Sequence, residues 1–205
     1  LSWRFHQASA FCLTLRPTPM DNHVPRHILP VLVLAQFMGT SLWFAVNAVM
    51  PDLQRELGWP TSAVGTLTSA LQFGFILGTL VFALLAIADR FAPRRVFLVC
   101  ALAGAACTVG AWWMVRDFTA LLGWRFATGF FLAGIYPVGM KIAAQWYTRG
   151  LGAALGLLIG ALVLGSASAH ALRALSGALP WPTLMLGVAA LAAAGGLLLF
   201  FGTGD

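Results

Sequence analysis

The sequence predicts an all-α integral membrane protein with six transmembrane helices. Hydrophobic residues make up 60% of the 205-residue chain, and charged residues make up only 9%. Soluble domains carry about 25% charged residues, so this chain is too apolar to form a water-exposed surface. Its apolar residues also fall into separate runs, each near the roughly 20 residues that a helix needs to cross a bilayer. This composition excludes a soluble domain, a disordered chain and a disulfide-stapled secreted module.

The predicted spans follow one another through short connectors. In chain order they are Ile28–Val49, Ser62–Ile87, Val96–Val115, Ala120–Met140, Gly150–Ala171 and Trp181–Phe201. We assign residues 1–27 to an amino-terminal cytoplasmic tail and residues 28–205 to one six-helix domain. Residues 1–19 do not resemble a signal peptide and are interpreted as translated upstream sequence or a badly chosen start, with Met20 as the expected start. Because the connectors leave no room for another domain, we expect the function to lie inside the bundle.

The basic residues of the connectors predict the orientation of the chain. With the amino terminus inside, the inner connectors hold Arg26, Arg90, Arg94, Arg95, Lys141 and Arg149, and the outer ones hold Arg55, Arg116 and Arg173. Lys and Arg accumulate on the cytoplasmic side of membrane proteins, so both termini are expected there, in a multi-pass protein of the cell (inner) membrane. The net charge of +6 is spread along the chain, which argues against a nucleic-acid partner.

Polar residues within the spans are the candidates for substrate binding, because each is costly in lipid. Gln36 and Asn47 share one face of the first span at helical spacing, and Gln72 lies on a similar polar face of the second span. Arg125 and Tyr136 share a face of the fourth span. Three polar stripes predict the walls of a hydrated cavity. Interhelical hydrogen bonding for packing alone is the alternative.

Arg125 is the most informative residue, since it lies about one turn inside the outer end of the fourth span. All six acidic residues lie in connectors, span ends or tails, so no carboxylate within the spans neutralises it. A planar guanidinium donates paired hydrogen bonds to planar anions, and we therefore predict an anionic substrate. Two alternatives remain open: Arg125 snorkels to the interface, or it pairs with a part of the protein outside this chain.

Small residues dominate one face of the fifth span. Gly152, Gly156 and Gly160 form two successive GxxxG steps, and His170 follows Gly152 by eighteen residues, or five full turns. Such spacing lets helices approach closely, so this face is predicted to pack against a partner. Ser166 and His170 imitate a hydrolase dyad, but the serine lacks a glycine-flanked nucleophile setting and an oxyanion-hole signature.

The chain is therefore predicted not to be an enzyme and to need no cofactor or metal. Cys100 and Cys107 lie in an apolar run without a CxxC spacing or a histidine partner. The sequence also lacks a Walker A motif, an NPA pair and a carbonyl-filter sequence, which argues against a pump and a channel.

Two stretches resemble signatures of the major facilitator superfamily of secondary transporters. The connector LAIADRFAPRRVF resembles the cytoplasmic loop signature, with Asp89, Arg90 and Arg94 at its charged positions. Leu85 replaces its first glycine, and Ala92–Pro93 replaces its glycine–basic pair. The stretch LLGWRFATGFFLAG resembles the intramembrane arginine motif and places Arg125 on the arginine, which the family associates with proton coupling or substrate binding.

A third stretch, GIYPVGMKIAAQWYTRGLGAALGLLIGALVLG, resembles anion-type members such as cyanate, nitrate and organophosphate permeases. The resemblance implies one half of a twelve-helix fold, built from two inverted three-helix repeats, with the substrate site between the halves. It further implies that Asp89, Arg90 and Arg94 form a gating loop. The face of Gly152, Gly156, Gly160 and His170 is then expected to pack against a second six-helix half, in the same chain or as a homodimer.

The functional hypothesis is a permease that moves a small solute, expected to be an organic or inorganic anion, by alternating access in the lipid bilayer. Gln36, Asn47, Gln72, Arg125 and Tyr136 are the expected substrate-binding residues. A coupling proton, as in a symporter, is left open. The alternative is a non-transporting or truncated six-helix module that requires a second half or a homodimer.

Overall fold

The computed structural model describes residues 24–176 and 180–203. Within these residues the protein is all helical. The helices are α1 (Ile28–Thr40), α2 (Ala45–Leu57), α3 (Ala63–Leu84), α4 (Ile87–Arg90), α5 (Pro93–Trp113), α6 (Phe118–Leu132), α7 (Tyr136–Trp146), α8 (Leu151–Ser176) and α9 (Trp181–Gly202). A 3₁₀ segment, Ser41–Phe44, joins α1 to α2.

These helices form six spans that are long and apolar enough to cross a membrane, which confirms the predicted fold class. The first span combines α1, the 3₁₀ segment and α2, and the fourth combines α6 and α7. The second, third, fifth and sixth spans are α3, α5, α8 and α9. Helices satisfy their backbone hydrogen bonds internally, which a chain surrounded by hydrocarbon requires.

The first span ends at Leu57, well beyond the predicted end at Val49. At its break, the Thr40 hydroxyl donates to the Gln36 carbonyl at 2.8 Å, and the Ser41 hydroxyl donates to the Met38 carbonyl at 2.6 Å. Such bonds from hydroxyl groups to the preceding turn bend helices. The break is therefore built from local polar side chains and divides the first span into two shorter helices.

The fourth span is also longer than predicted and is interrupted between Leu132 and Tyr136. Pro137 explains this interruption, because a proline lacks the backbone N–H of a continuous helix and clashes with the preceding turn. At the other end, the Asp117 side chain accepts hydrogen bonds from the backbone N–H groups of Thr119 at 2.9 Å and Ala120 at 3.2 Å. This cap fixes the start of α6.

Glycines bring the backbones of α3 and α6 into direct contact. A Cβ atom at Gly78 would lie 2.5 Å from the Phe130 carbonyl oxygen. A Cβ at Gly74 would overlap the Phe126 carbonyl, and one at Gly129 would overlap the Leu71 carbonyl. Gly74 and Gly78 are four residues apart on α3 and Gly129 lies on α6, so small residues on both helices form the two sides of one contact.

The fifth and sixth spans pack against α1. Gly165 of α8 lies against the Phe37 carbonyl, and Gly195 of α9 lies against Met38. Gln36, Leu32 and Ala35 of α1 are fully buried. The first span therefore packs against the fifth and sixth spans.

The end of the bundle opposite the amino terminus holds a polar cluster. Arg173, near the end of α8, contacts both carboxylate oxygens of Asp52 at 2.6 and 2.7 Å. The indole N–H of Trp181 donates to Glu56 at 3.0 Å. These contacts tie the end of the first span to the fifth and sixth spans.

Candidate substrate site and gate

Arg125 joins the fourth span to the break in the first. Its side chain is 1% exposed. It donates from Nη2 to the Trp43 carbonyl at 2.6 Å and from Nη1 to the Leu42 carbonyl at 3.3 Å. Both carbonyls belong to the 3₁₀ segment. None of the acidic side chains in the described part of the chain contacts this guanidinium.

This environment differs both from the predicted cavity wall and from the alternative in which Arg125 snorkels to the interface. The residue faces neither a hydrated cavity nor the membrane interface, since it is enclosed between two spans. The physical reason is that the 3₁₀ segment presents carbonyl oxygens across the interface, and these acceptors compete with solvent for the guanidinium. Substrate binding by Arg125 stays a prediction.

Gln36 is fully buried on the other side of the break. Its Oε1 atom lies against Gly139 of α7, at a point where a Cβ would overlap it. Neither polar atom of its side chain has a hydrogen-bond partner within the described residues. An unsatisfied buried amide costs about 1–3 kcal/mol, so Gln36 remains a candidate for contact with a ligand or water.

Asn47 links the first and second spans. Its side-chain amide donates to the Thr68 hydroxyl at 2.7 Å, and that hydroxyl donates to the Val64 carbonyl at 2.8 Å. Its Oδ1 atom is buried without a partner among the described residues. Asn47 thus holds two spans together and retains one free acceptor.

An open groove of about 490 Å³ follows the second span beside this contact. Its walls are Gly65, Thr68, Ser69, Gln72, Phe73 and Ile76. Gln72 is exposed, and Tyr136 is half-buried at the start of α7. The structure therefore brings Asn47 close to the groove of Gln72 through Thr68, whereas Gln36 and Arg125 are buried within the bundle.

The predicted gating loop is held by its neighbours. Asp89 pairs with Lys141 near the end of the fourth span, and Lys141 also donates to the Ala88 carbonyl at 2.7 Å. Arg94 lies 5.3 Å from the centre of the Phe200 ring in α9. Arg90 is exposed. In the sequence analysis Lys141 serves only to predict the orientation of the chain. The opposite charges of Asp89 and Lys141, at the ends of neighbouring spans, also indicate that they could pair.

The glycine face of the fifth span is open. A Cβ at Gly152, Gly156 or Gly160 would meet no heavy atom of the described residues within 4 Å. His170 is exposed, and its ring centre lies 6.0 Å from that of Phe44. The face has the smooth surface that the sequence predicts, and its role in packing against a second half stays a prediction.

The described residues contain no group of three or more His, Cys, Asp or Glu side chains that could hold a metal ion.

Six spans, two of them broken, with an intramembrane arginine and a charged connector, define a multi-pass membrane protein. The profile of the Major Facilitator Superfamily matches residues 32–204, and the chain belongs to this superfamily. It is 37% identical over 124 residues to a chloramphenicol resistance protein of Streptomyces lividans. That match covers 59% of this chain and 29% of the relative's length. The predicted resemblance to anion-type permeases is not confirmed by these similarities.

Proposed function

We propose that the chain is the amino-terminal half of a secondary transporter that moves a small solute by alternating access. The superfamily match over residues 32–204 carries this proposal. Two broken spans support it, since discontinuous helices supply ligand-binding backbone groups in many transporters. We further propose an inner-membrane location with both termini cytoplasmic, which follows from the distribution of Lys and Arg.

The proposed substrate path follows the groove beside Gln72. The exposed amide of Gln72 and the free Oδ1 acceptor of Asn47 offer hydrogen bonds there. Arg125 becomes part of the path when the 3₁₀ segment shifts. A bound anion then takes the place of the Leu42 carbonyl, which accepts the longer of the two Arg125 hydrogen bonds, at 3.3 Å. Gln36 and Tyr136 complete the proposed set of substrate-binding residues.

Two substrate classes follow from two observations. A small organic or inorganic anion is favoured by Arg125, whose charge no acidic side chain of the described residues neutralises. A neutral aromatic solute is favoured by the similarity to a chloramphenicol resistance protein, because chloramphenicol carries no net charge. We propose the anion as the first candidate and an exported neutral compound as the second.

Transport assays on inverted membrane vesicles test both candidates. Vesicles from cells that express the gene would be supplied with radiolabelled chloramphenicol and with a series of small carboxylates and phosphates. We expect saturable uptake of one class. The Gln72→Leu variant should raise KM about tenfold, because it loses a hydrogen bond to the solute worth about 1.4 kcal/mol.

The matched control is Gln145→Leu, which makes the same change at an exposed position near the end of the fourth span. This control should leave KM unchanged. Saturable uptake of neither class would contradict the transporter proposal, and an equal effect of the two substitutions would contradict the proposed path.

The proposal also includes a cytoplasmic gate and a second six-helix half as the packing partner. The Asp89–Lys141 pair closes the cytoplasmic side of this half, with Arg90 and Arg94 beside it. The open face of Gly152, Gly156 and Gly160 packs against a second six-helix half, in the same polypeptide or in a second copy.

A further inference from the structure

A second groove lies at the end of the bundle that carries the connector between the second and third spans. It has a volume of about 490 Å³ and lies between the second, third and fourth spans. Phe82, Val99, Phe130 and Phe131 contribute apolar surface to its walls. Phe82 and Phe130 pack edge to face with ring centres 5.9 Å apart, which gives the groove a firm aromatic wall.

Two arginines add positive charge to this apolar groove. Arg90 and Arg95 both line it, and both side chains are exposed. Within the described residues, neither guanidinium has an acidic partner, whereas Lys141 nearby is paired with Asp89. The groove therefore combines an apolar interior with two available cationic groups.

The surroundings of the groove are apolar and face outward. Phe91 is 62% exposed, and Val99 is 60% exposed. In a membrane-spanning chain such residues contact lipid acyl chains rather than water. The arginines lie in and beside the connector, at the end of the spans, where basic side chains meet lipid headgroups.

We propose that this groove binds an anionic phospholipid from the leaflet on the side of the Asp89–Arg95 connector. One acyl chain lies along the aromatic wall, and the headgroup phosphate accepts hydrogen bonds from Arg90 and Arg95. Charge complementarity selects this occupant. The groove formed by Met38, Leu198 and Phe201 at the sixth span lacks a basic residue and therefore does not distinguish one lipid from another.

The bound lipid has a consequence for the gate. Arg90 follows Asp89 directly, and Asp89 pairs with Lys141. A phosphate bound by Arg90 therefore holds the connector against the membrane surface next to this ion pair. The lipid composition of that leaflet therefore affects the conformation of the connector.

Native mass spectrometry of the purified chain in detergent tests the proposal. The chain would be titrated with phosphatidylglycerol and phosphatidylcholine of identical acyl chains, and separately with glycerol 3-phosphate and inorganic phosphate. We expect about tenfold tighter binding of phosphatidylglycerol than of phosphatidylcholine, from two arginines near one anionic headgroup. The free phosphates should neither bind measurably nor compete, because they lack the acyl chain that fills the groove.

Two double variants separate this site from general charge. The R90Q/R95Q variant should lose the preference for phosphatidylglycerol. The R26Q/R149Q variant removes the same charge from exposed positions on the same side and should retain it. The Val99→Trp variant, which fills the groove, should weaken the binding of both lipids.

Three results would overturn the proposal. The first is equal binding of the two lipids to the unmodified chain, which needs no variant and so does not depend on variant folding. The second is an equal loss of preference in both double variants. The third is competition by inorganic phosphate at the affinity of the lipid, which would indicate a phosphate site instead of a lipid site.

Discussion

At the scale of single residues, the environment of Arg125 determines what the site can do. Its guanidinium is fully buried and donates hydrogen bonds to two backbone carbonyls. No acidic side chain of the described residues contacts it. Carbonyl dipoles offset only part of the cost of burying a charge, which amounts to several kcal/mol. A charge kept under these conditions is expected to have a function that a neutral side chain could not perform.

The Arg125→Gln variant is expected to separate function from stability. It removes a costly buried charge and retains an amide donor, so the melting temperature should stay within about 4 °C of the original, or about 1 kcal/mol. Transport should fall at least tenfold, since the group proposed to meet the anion is gone. Vesicle uptake and melting curves from tryptophan fluorescence measure the two effects.

The Arg116→Gln variant is the control, because Arg116 is exposed in the connector just before the same span. It should change neither quantity. Unchanged transport in Arg125→Gln would show that Arg125 only holds the break of the first span.

Gly129 offers a second test at this scale. The Gly129→Ala variant places a methyl group against the Leu71 carbonyl, so the α3–α6 contact must open. Strain of this kind costs about 1–3 kcal/mol, and the melting temperature should fall by roughly 3–10 °C. The Gly123→Ala variant in the same helix meets open space and should be neutral or slightly stabilising. Equal melting temperatures for the two variants would contradict the close contact.

Sequence alone identified Arg125, because a charge stands out within an apolar run. It did not identify its acceptors. Leu42 and Trp43 lie 83 and 82 residues away in the chain, and the break that presents their carbonyls contains neither proline nor glycine. The hydroxyl groups of Thr40 and Ser41 are a local signal for the break, but they do not indicate which distant side chain its carbonyls meet.

At the scale of helices, hydropathy predicts the number of spans and misplaces their ends. The first span was predicted to stop at Val49 because α2 carries Asp52, Arg55 and Glu56 in its second half. The helix continues because these side chains find polar partners there: Asp52 pairs with Arg173, and Glu56 accepts from Trp181. Hydropathy predicts which residues lie in the hydrocarbon core, whereas the helix itself is able to extend beyond the core into the polar interface.

The Asp52–Arg173 pair gives a prediction at this scale. The side chains of Asp52 and Arg173 are 12% and 29% exposed, so the Asp52→Asn variant leaves a mostly buried arginine with a weaker partner. We expect a loss of about 1–3 kcal/mol in the free energy of unfolding, or a drop of roughly 3–10 °C in melting temperature. Circular dichroism during heating in detergent measures this change.

The charge-swapped variant D52R/R173D is the companion to that experiment. It should recover part of the lost stability, because the ion pair forms again with its signs reversed. A swapped variant no more stable than Asp52→Asn would show that the pair itself contributes little.

At the scale of the whole molecule, the spans differ in how much of their surface is buried within the bundle. In the most apolar stretch of each span, 22% of the residues are buried in the second span and 28% in the fifth, against 44–50% in the other four. The second span carries the polar groove of Gln72, and the fifth carries the open glycines. We therefore propose these two spans as the border for a second half.

The Gly156→Leu variant tests that border. A leucine on the smooth face should prevent close approach of a second half and reduce transport at least tenfold, while six-helix folding is preserved. Gly187→Leu is the matched control, because Gly187 in the sixth span also meets no neighbour within 4 Å. Disulfide crosslinking between cysteines placed on the fifth span and on the second half measures the approach directly. Equal transport in the two variants would place the border elsewhere.

The backbone contact between α3 and α6 has a mechanical consequence. Because Gly74, Gly78 and Gly129 interlock with carbonyl groups, these two helices cannot slide past each other without separating. We expect the two helices to move as one rigid unit. The turn before Tyr136 and the 3₁₀ segment of the first span interrupt the neighbouring helices, and we expect any bending to occur at these two places. We therefore expect α3 and α6 to move together in any conformational change of this six-helix unit.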